Sequence, residues 1–152
     1  MANEAHEHLM LCTYIKTNFP DVLFTTDLSG IRVPMGTAKK LPALRSSNGI
    51  PDLLIFSPRG GYHGLMIEMK ASGIKVNKKD GSIRHDEHLL EQNEVLRQLR
   101  VLGYYADFAR GFEEGKRLVD QYMTLRDMTT CKYLLLSVLQ IIGNFFNTLF
   151  HF

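Results

Sequence analysis

The stretch at residues 50–70, IPDLLIFSPRGGYHGLMIEMK, most constrains how this chain can fold. Two short apolar runs, at residues 53–56 and 65–69, flank a segment that contains one proline and three glycines. This pattern is typical of two strands joined by a tight turn. We therefore predict a β-hairpin that turns near Gly60 and Gly61, which places Asp52 opposite Glu68 at the far end of the hairpin.

Charged groups meet at that end of the predicted hairpin. Successive side chains of a strand point to opposite faces, so Glu68 and Lys70 share a face and Met69 points into the packing. Two carboxylates among apolar side chains repel each other and lose hydration. Both effects raise their pKa values unless a cation lies between them. Mg²⁺ or Mn²⁺ prefers oxygen ligands of this kind, and the Met69 carbonyl can supply another. Lys70 can then orient an attacking water, although a solvated Glu-Lys ion pair is the simpler alternative.

These residues also carry a family resemblance. Pro51-Asp52 followed by Glu68-Met69-Lys70 resembles the PD-(D/E)xK nuclease signature. The words GIPDLLIF and GLMIEMKASG, together with Gln92 and then Gly103-Tyr104, resemble the virus-type replication-repair nuclease family, VRR-NUC. The resemblance covers residues 4–122 and leaves the C-terminal segment unmatched. It implies a restriction-endonuclease-like α/β core, a Mg²⁺ or Mn²⁺ cofactor, and DNA cleavage that leaves a 5′-phosphate and a 3′-hydroxyl.

The resemblance also implies further site residues. Gln92, on a predicted helix, would assist catalysis by holding the attacking water or a phosphate oxygen; otherwise it is a surface glutamine. A glutamate of the first helix would complete the acidic cluster as a metal ligand through water. Counting back from Phe19-Pro20 places it at Glu4, with Glu7 as the alternative. Where the family usually has glutamine, this chain has His8.

The rest of the chain predicts a single α/β domain with a mixed sheet between helices. We expect helices at residues 4–18, 86–103 and 112–125, with Asn3 and Asp86 as caps of the first two. The second of these helices would have a partly buried face, formed by Leu89, Leu90, Asn93, Leu96, Leu99 and Val101. Strands are expected at residues 22–26 and 104–109, and loops at 28–48 and 71–84. The nuclease-like domain would span residues 1–125. His85 and His88 lack the partners of a transition-metal site, so we interpret them as substrate-facing or solvated.

Charge distribution indicates more about a partner than total charge does. The net charge is only +2, but two polar loops flanking the hairpin are rich in basic residues. Such loops can follow a phosphate backbone, or can be merely solvated connections. The candidate DNA-binding residues are Arg32, Lys39, Lys40, Arg45, Lys75, Lys78, Lys79 and Arg84.

The last segment, residues 126–152, is predicted to be a helical tail. Residues 133–152 contain no Asp, Glu, Lys or Arg, but polar side chains recur every three or four positions. This spacing favours an amphipathic helix that packs on its own domain or on a second copy, more than a membrane helix. Cys12 and Cys131 sit in apolar settings and are interpreted as reduced thiols of a cytosolic protein, in the host cytoplasm if the chain is viral. The N-terminus does not resemble a secretory signal.

Together these features predict a metal-dependent DNA endonuclease. Because stand-alone members of the family resemble Holliday-junction resolvases and pair as dimers, we expect a homodimer acting on branched DNA such as a four-way junction. The same residues are compatible with two alternatives. One is a flap or restriction-type nuclease with the same site, and the other is a non-catalytic nucleic-acid-binding module.

Overall fold

The computed structural model describes residues 3–27, 35–38, 40–44, 46–47, 49–127, 140 and 142. Its helices are α1 (Glu4–Asn18), α2 (Met35–Ala38), α3 (Glu87–Val101) and α4 (Gly111–Met123). Its strands are β1 (Phe24–Thr26), β2 (Leu53–Ile55), β3 (Leu65–Lys70) and β4 (Tyr105–Arg110). A short 3₁₀ helix, Leu41–Leu44, follows α2, so the region predicted as a loop at 28–48 contains two helical turns where it is described.

The four strands form one mixed sheet in the order β1-β2-β3-β4. β2 is antiparallel to both β1 and β3, whereas β4 runs parallel to β3. The β2–β3 hairpin is present as predicted. Its turn lies at Gly60 and Gly61, whose φ angles of 58° and 92° are the positive values that such a turn requires. Leu53 pairs with Ile67, and continuing this register by one residue places Asp52 opposite Glu68.

The sheet is packed on both faces, which confirms the predicted α/β arrangement. One face packs against α1 and α4; its buried side chains are Leu11, Ile15, Leu53, Ile55, Leu65, Ile67, Met69, Ala109, Leu118, Val119 and Tyr122. The other face packs against α3, through Met66, Leu96 and Ala106. Burial of these apolar side chains stabilises the fold by roughly 1.5–3 kcal/mol for each large residue. The charged end of β3 is therefore held between two rigid layers.

Both predicted helix caps are present. The Asn3 side chain accepts a hydrogen bond from the Ala5 N–H at 3.3 Å, and Asp86 accepts one from the Leu89 N–H at 3.0 Å. The predicted buried face of α3 was too wide, because Leu90 and Val101 are 42% and 75% exposed. This helix packs on only one face of a narrow sheet, so it buries a thin stripe rather than a broad face.

The predicted C-terminal tail, residues 126–152, lies mostly outside the described residues. Within it the structure describes only Arg126, Asp127, Gln140 and Ile142. Cys12 is a half-buried free thiol, and Cys131 is not among the described residues. Of the helices in the described ranges, none is long and apolar enough to cross a lipid bilayer.

Candidate active site

The end of β3 brings three of the predicted residues into contact. Glu68 is only 2% exposed, and its Oε1 accepts a hydrogen bond from Lys70 Nζ at 2.9 Å. Gln92, which is 5% exposed on α3, donates from Nε2 to the same oxygen. The alternation of the strand explains this grouping, because Glu68 and Lys70 point toward α3 while Met69 packs into the opposite core.

Asp52 lies immediately beside this group. It precedes β2, and its Oδ2 accepts a hydrogen bond from the backbone N–H of Met69 at 2.8 Å. That bond ties the carboxylate to the strand that carries Glu68. The negative charge of Asp52 contributes to the elevated pKa of Glu68, which shows that the two carboxylates interact. Asp52 and Glu68 therefore form one electrostatic unit.

Both carboxylates are short of positive charge. Burial, together with the negative charge of Asp52, raises the pKa of Glu68 to about 8, although the charge and hydrogen bond of Lys70 act in the opposite direction. Burial also raises the pKa of Asp52, although the Met69 N–H and the positive charges of His8 and Lys70 act in the opposite direction. A nearby divalent cation would reverse both shifts, because it favours the ionised forms.

A cleft of about 380 Å³ opens beside Asp52, and we call it the acidic cleft. Its lining residues are Asn3, Glu4, Ala5, His8, Leu9, Cys12, Thr26, Asp27, Asp52 and Met69. Glu4 reaches it from the first turn of α1, where its Oε2 accepts a hydrogen bond from the Ala71 N–H at 3.1 Å. The charge of Glu4 adds to the elevated pKa values of both Asp52 and Glu68.

Glu7 occupies a different environment from Glu4. It is buried, does not line the acidic cleft, and accepts a hydrogen bond from the Ser72 N–H at 3.2 Å. Its Oε1 also lies close to Gly111, where a Cβ atom would approach to 2.7 Å. Glu7 thus joins α1 to the end of β3 and the start of α4, whereas Glu4 faces the candidate site.

Two acidic-cleft residues were not predicted as site residues, or had no assigned role. Asp27 lines the cleft and donates its backbone N–H to the Asp52 carbonyl at 2.9 Å. It belongs to no motif, and its only sequence signal is its position directly after the predicted strand at 22–26. His8 also lines the cleft, and its Nε2 is buried without a hydrogen-bond partner in the described part of the chain.

His88 contacts the site through Gln92. The two Nε2 atoms are 3.1 Å apart. In the tautomer that carries its proton on Nδ1, His88 Nε2 accepts a hydrogen bond from the amide NH₂ group of Gln92. The imidazole was interpreted from the sequence as substrate-facing or solvated. It is exposed, and it also fixes the amide that contacts Glu68.

The residues present fit a hard divalent cation. Within the described ranges, no three His, Cys, Asp or Glu side chains already form a metal cage. Mg²⁺ does not require one, because it usually takes one or two protein carboxylates and fills its other positions with water and substrate phosphate. The oxygen donors of Asp52 and Glu68, and their uncompensated charge, match that preference.

The predicted DNA-binding residues are only partly described. Lys40, Lys75, Lys78, Lys79 and Arg84 are exposed, as a phosphate-contacting role requires. Arg32, Lys39 and Arg45 lie outside the described residues.

Comparison with known proteins bears on the family. No protein-family profile and no curated protein matches the chain. A solved structure described as a VRR_NUC domain protein is similar in fold, with a TM-score of 0.62 and 25% sequence identity. The match covers 84% of this chain and 93% of that chain. This likeness confirms the resemblance found in the sequence: it supports a VRR-NUC domain, and the fold is consistent with a PD-(D/E)xK-like core.

Proposed function

We propose that this chain is a Mg²⁺- or Mn²⁺-dependent endonuclease that hydrolyses phosphodiester bonds of DNA. The VRR-NUC fold supports a nuclease domain with DNA as its substrate. The observation that carries the proposal is the pair formed by half-buried Asp52 and buried Glu68, whose pKa values are both elevated, next to the ammonium group of Lys70. Such a pair is costly to fold unless a cation compensates it, and the position of Asp52 at the acidic cleft suits catalysis.

In this proposal Asp52, Glu68 and the Met69 carbonyl would hold the metal ion, and Glu4 would contribute through a water molecule. When bound, the ion would polarise the scissile phosphate and lower the pKa of the attacking water. The position of Glu4 at the acidic cleft supports its assignment over Glu7, which is engaged with Ser72.

Lys70 and Gln92 would act on the reacting groups directly. Lys70 Nζ can orient the attacking water and stabilise the negative charge that develops on the phosphate. Attack forms a bond from water oxygen to phosphorus and breaks the bond to the 3′ oxygen, which takes up a proton and leaves as a hydroxyl. Gln92 shares the Glu68 oxygen with Lys70, so its amide can hold the water or a phosphate oxygen in place.

Branched DNA is the substrate that we favour within this class. The family resemblance supports a dimer whose two sites make paired cuts on a four-way junction. A flap or restriction-type nuclease would use the same chemistry, so a panel of junction, flap and linear duplex DNA should be tested with Mg²⁺, Mn²⁺ and chelator in parallel. Preferential cutting of the junction with metal is expected, and preferential cutting of flap or linear DNA would favour the alternative.

Lys70→Ala provides the sharpest test of the chemistry. We expect it to abolish cleavage while DNA binding is largely retained. The control is Lys16→Ala, in the last turn of α1, because the acidic cleft lies at the other end of that helix. Persistent cleavage by Lys70→Ala would show that Lys70 is not catalytic. Binding without cleavage by the unaltered chain, with either metal, would favour a non-catalytic DNA-binding module.

We further propose that the tail at residues 126–152 mediates homodimerisation. The support is its uncharged, amphipathic sequence, whose apolar side would need a partner surface. Sedimentation of the chain with and without residues 133–152 tests this. A dimer that becomes a monomer on truncation is expected, and a monomer in both cases would refute the proposal.

A further inference from the structure

A second cavity, larger than the acidic cleft, lies elsewhere among the described residues. It measures about 760 Å³ and lies between the segment at residues 75–83 and the exposed edge of β4. We call it the basic groove. Its basic lining residues are Lys75, Lys78 and Lys79 on one wall, and Arg100, Arg110 and Arg117 on the other. Among its described lining residues, only Asp107 and Glu114 carry negative charge, so the groove is strongly positive.

The lysine wall is ordered rather than a free loop, and its three lysines are among the DNA-binding residues predicted from the sequence. Asn77 pairs with Ile83 in a β-bridge, and the Lys78 N–H donates to the Ser82 carbonyl at 2.8 Å. Gly81, at a φ of 83°, completes the turn between them. Val76 is buried and anchors the segment to the domain. Lysines held on an ordered turn lose less conformational freedom when they bind a ligand.

The arginine wall is also held in place by the fold. Arg100 Nε donates to the Ala106 carbonyl at 2.7 Å, and Arg110 pairs with Glu114 through contacts of 3.0 and 3.1 Å. Arg117 contacts Glu114 only at 3.5 Å and its side chain is 60% exposed, so it is available to another anion. The six cations therefore outnumber the carboxylates that position them.

The groove lies next to the candidate active site. Arg110 pairs with Lys70 in the parallel register of β3 and β4, and Phe108, which also lines the groove, pairs with Glu68. Neighbouring strands are about 4.8 Å apart, so the groove begins one strand away from the catalytic lysine. Asn93 of the groove directly follows Gln92 on α3. A chain of phosphates could therefore pass from one location to the other.

We propose that the basic groove binds the phosphate backbone of the DNA segment that extends beyond the scissile phosphate. This inference rests on the proposed nuclease function and names a second contact surface for its substrate. A small anion would leave most of the six cations unpaired, because they are spread over four parts of the fold. An acidic peptide could match the charge, but continuity with the site around Lys70 favours a nucleic acid.

The test is the salt dependence of binding. Lysine and arginine contacts to phosphate release counterions, and each contact contributes about 0.9 to the slope of log K against log salt on duplex DNA. The variant carries Lys78→Gln, Lys79→Gln and Arg117→Gln, all at exposed positions. Fluorescence anisotropy with a labelled four-way junction in chelator should show a slope that is smaller by roughly 2–3 and an affinity reduced at least about tenfold.

The matched control is Lys16→Gln, which removes an exposed cation in the last turn of α1 and should leave the slope unchanged. If the triple variant does not fold, Lys78→Gln with Lys79→Gln alone should lower the slope by about 2. An unaltered slope in a folded variant overturns the proposal. So does displacement of the DNA by polyglutamate of equal charge as readily as by unlabelled DNA, because the groove would then accept an acidic peptide.

Failure of this proposal can be told apart from failure of the nuclease assignment. If the unaltered chain cleaves DNA but the triple variant binds with the same salt-dependence slope, the proposal for the groove is wrong and the nuclease assignment stands. If the triple variant has a reduced salt-dependence slope but the unaltered chain cleaves no DNA with any metal, the groove binds DNA and the nuclease assignment is wrong.

Discussion

The elevated pKa of Glu68 predicts that the metal-free protein loses stability as pH rises and that Mg²⁺ restores it. In the folded chain burial keeps the proton on Glu68 up to about pH 8, whereas an unfolded glutamate loses it near its ordinary value of 4.5. The folded state thus binds more protons in this window, so the free energy of unfolding falls as pH increases. Asp52, whose pKa is also raised, adds in the same direction.

The size of the effect follows from the two pKa values. Each unit of pKa difference corresponds to 1.36 kcal/mol, so a rise from 4.5 to about 8 amounts to at most about 5 kcal/mol over the whole window. Between pH 6 and pH 8 the expected loss is about 2 kcal/mol. For a chain of this size that loss lowers the midpoint of thermal unfolding by roughly 4–8 °C. Mg²⁺ at about 100 times its Kd should return about 2.7 kcal/mol.

Thermal and urea unfolding of the metal-free chain between pH 6 and pH 8 measures this directly, with Glu68→Gln as the comparison. Glutamine cannot ionise, so the variant should lose most of the pH dependence and most of the stabilisation by Mg²⁺. The carboxyls with lowered pKa values, such as Glu94 and Glu114, titrate below this window and do not interfere. If the free energy of unfolding falls with pH equally in both proteins, the buried carboxyl of Glu68 is not the cause of the pH dependence.

Three further outcomes are expected. Glu4→Gln should lower the cleavage rate by about tenfold to a hundredfold, whereas Glu7→Gln, which keeps an oxygen acceptor for Ser72, should cleave normally; equal losses would contradict the assignment. His88→Ala should reduce the single-turnover rate by about tenfold with little change in DNA affinity, because it frees the Gln92 amide, and His88→Asn should recover part of the rate. Gly111→Ala should destabilise the fold by about 2 kcal/mol in urea unfolding, since φ is 73° and the new Cβ meets Glu7; unchanged stability would contradict this.

Local sequence patterns predicted much of the fold. The alternation and turn glycines of residues 50–70 predicted the hairpin and its register, and Asn3 and Asp86 marked the starts of α1 and α3. These features depend on backbone conformation and on neighbouring side chains, so a short window contains the information. The overestimated burial of Leu90 and Val101 has the opposite origin, because the width of a buried helix face depends on what packs against it.

Sequence alone therefore determined the local arrangement of the candidate site: a β-hairpin that places Asp52 opposite Glu68, with Lys70 on the same face as Glu68. Only the tertiary structure decided which distant groups join them. It brought Glu4 rather than Glu7 to the acidic cleft, set Asp27 beside Asp52, and aligned the arginines of three separate elements along the basic groove. The physical reason is that strand alternation is a local rule, whereas proximity between elements follows from how their apolar faces pack across the whole sheet.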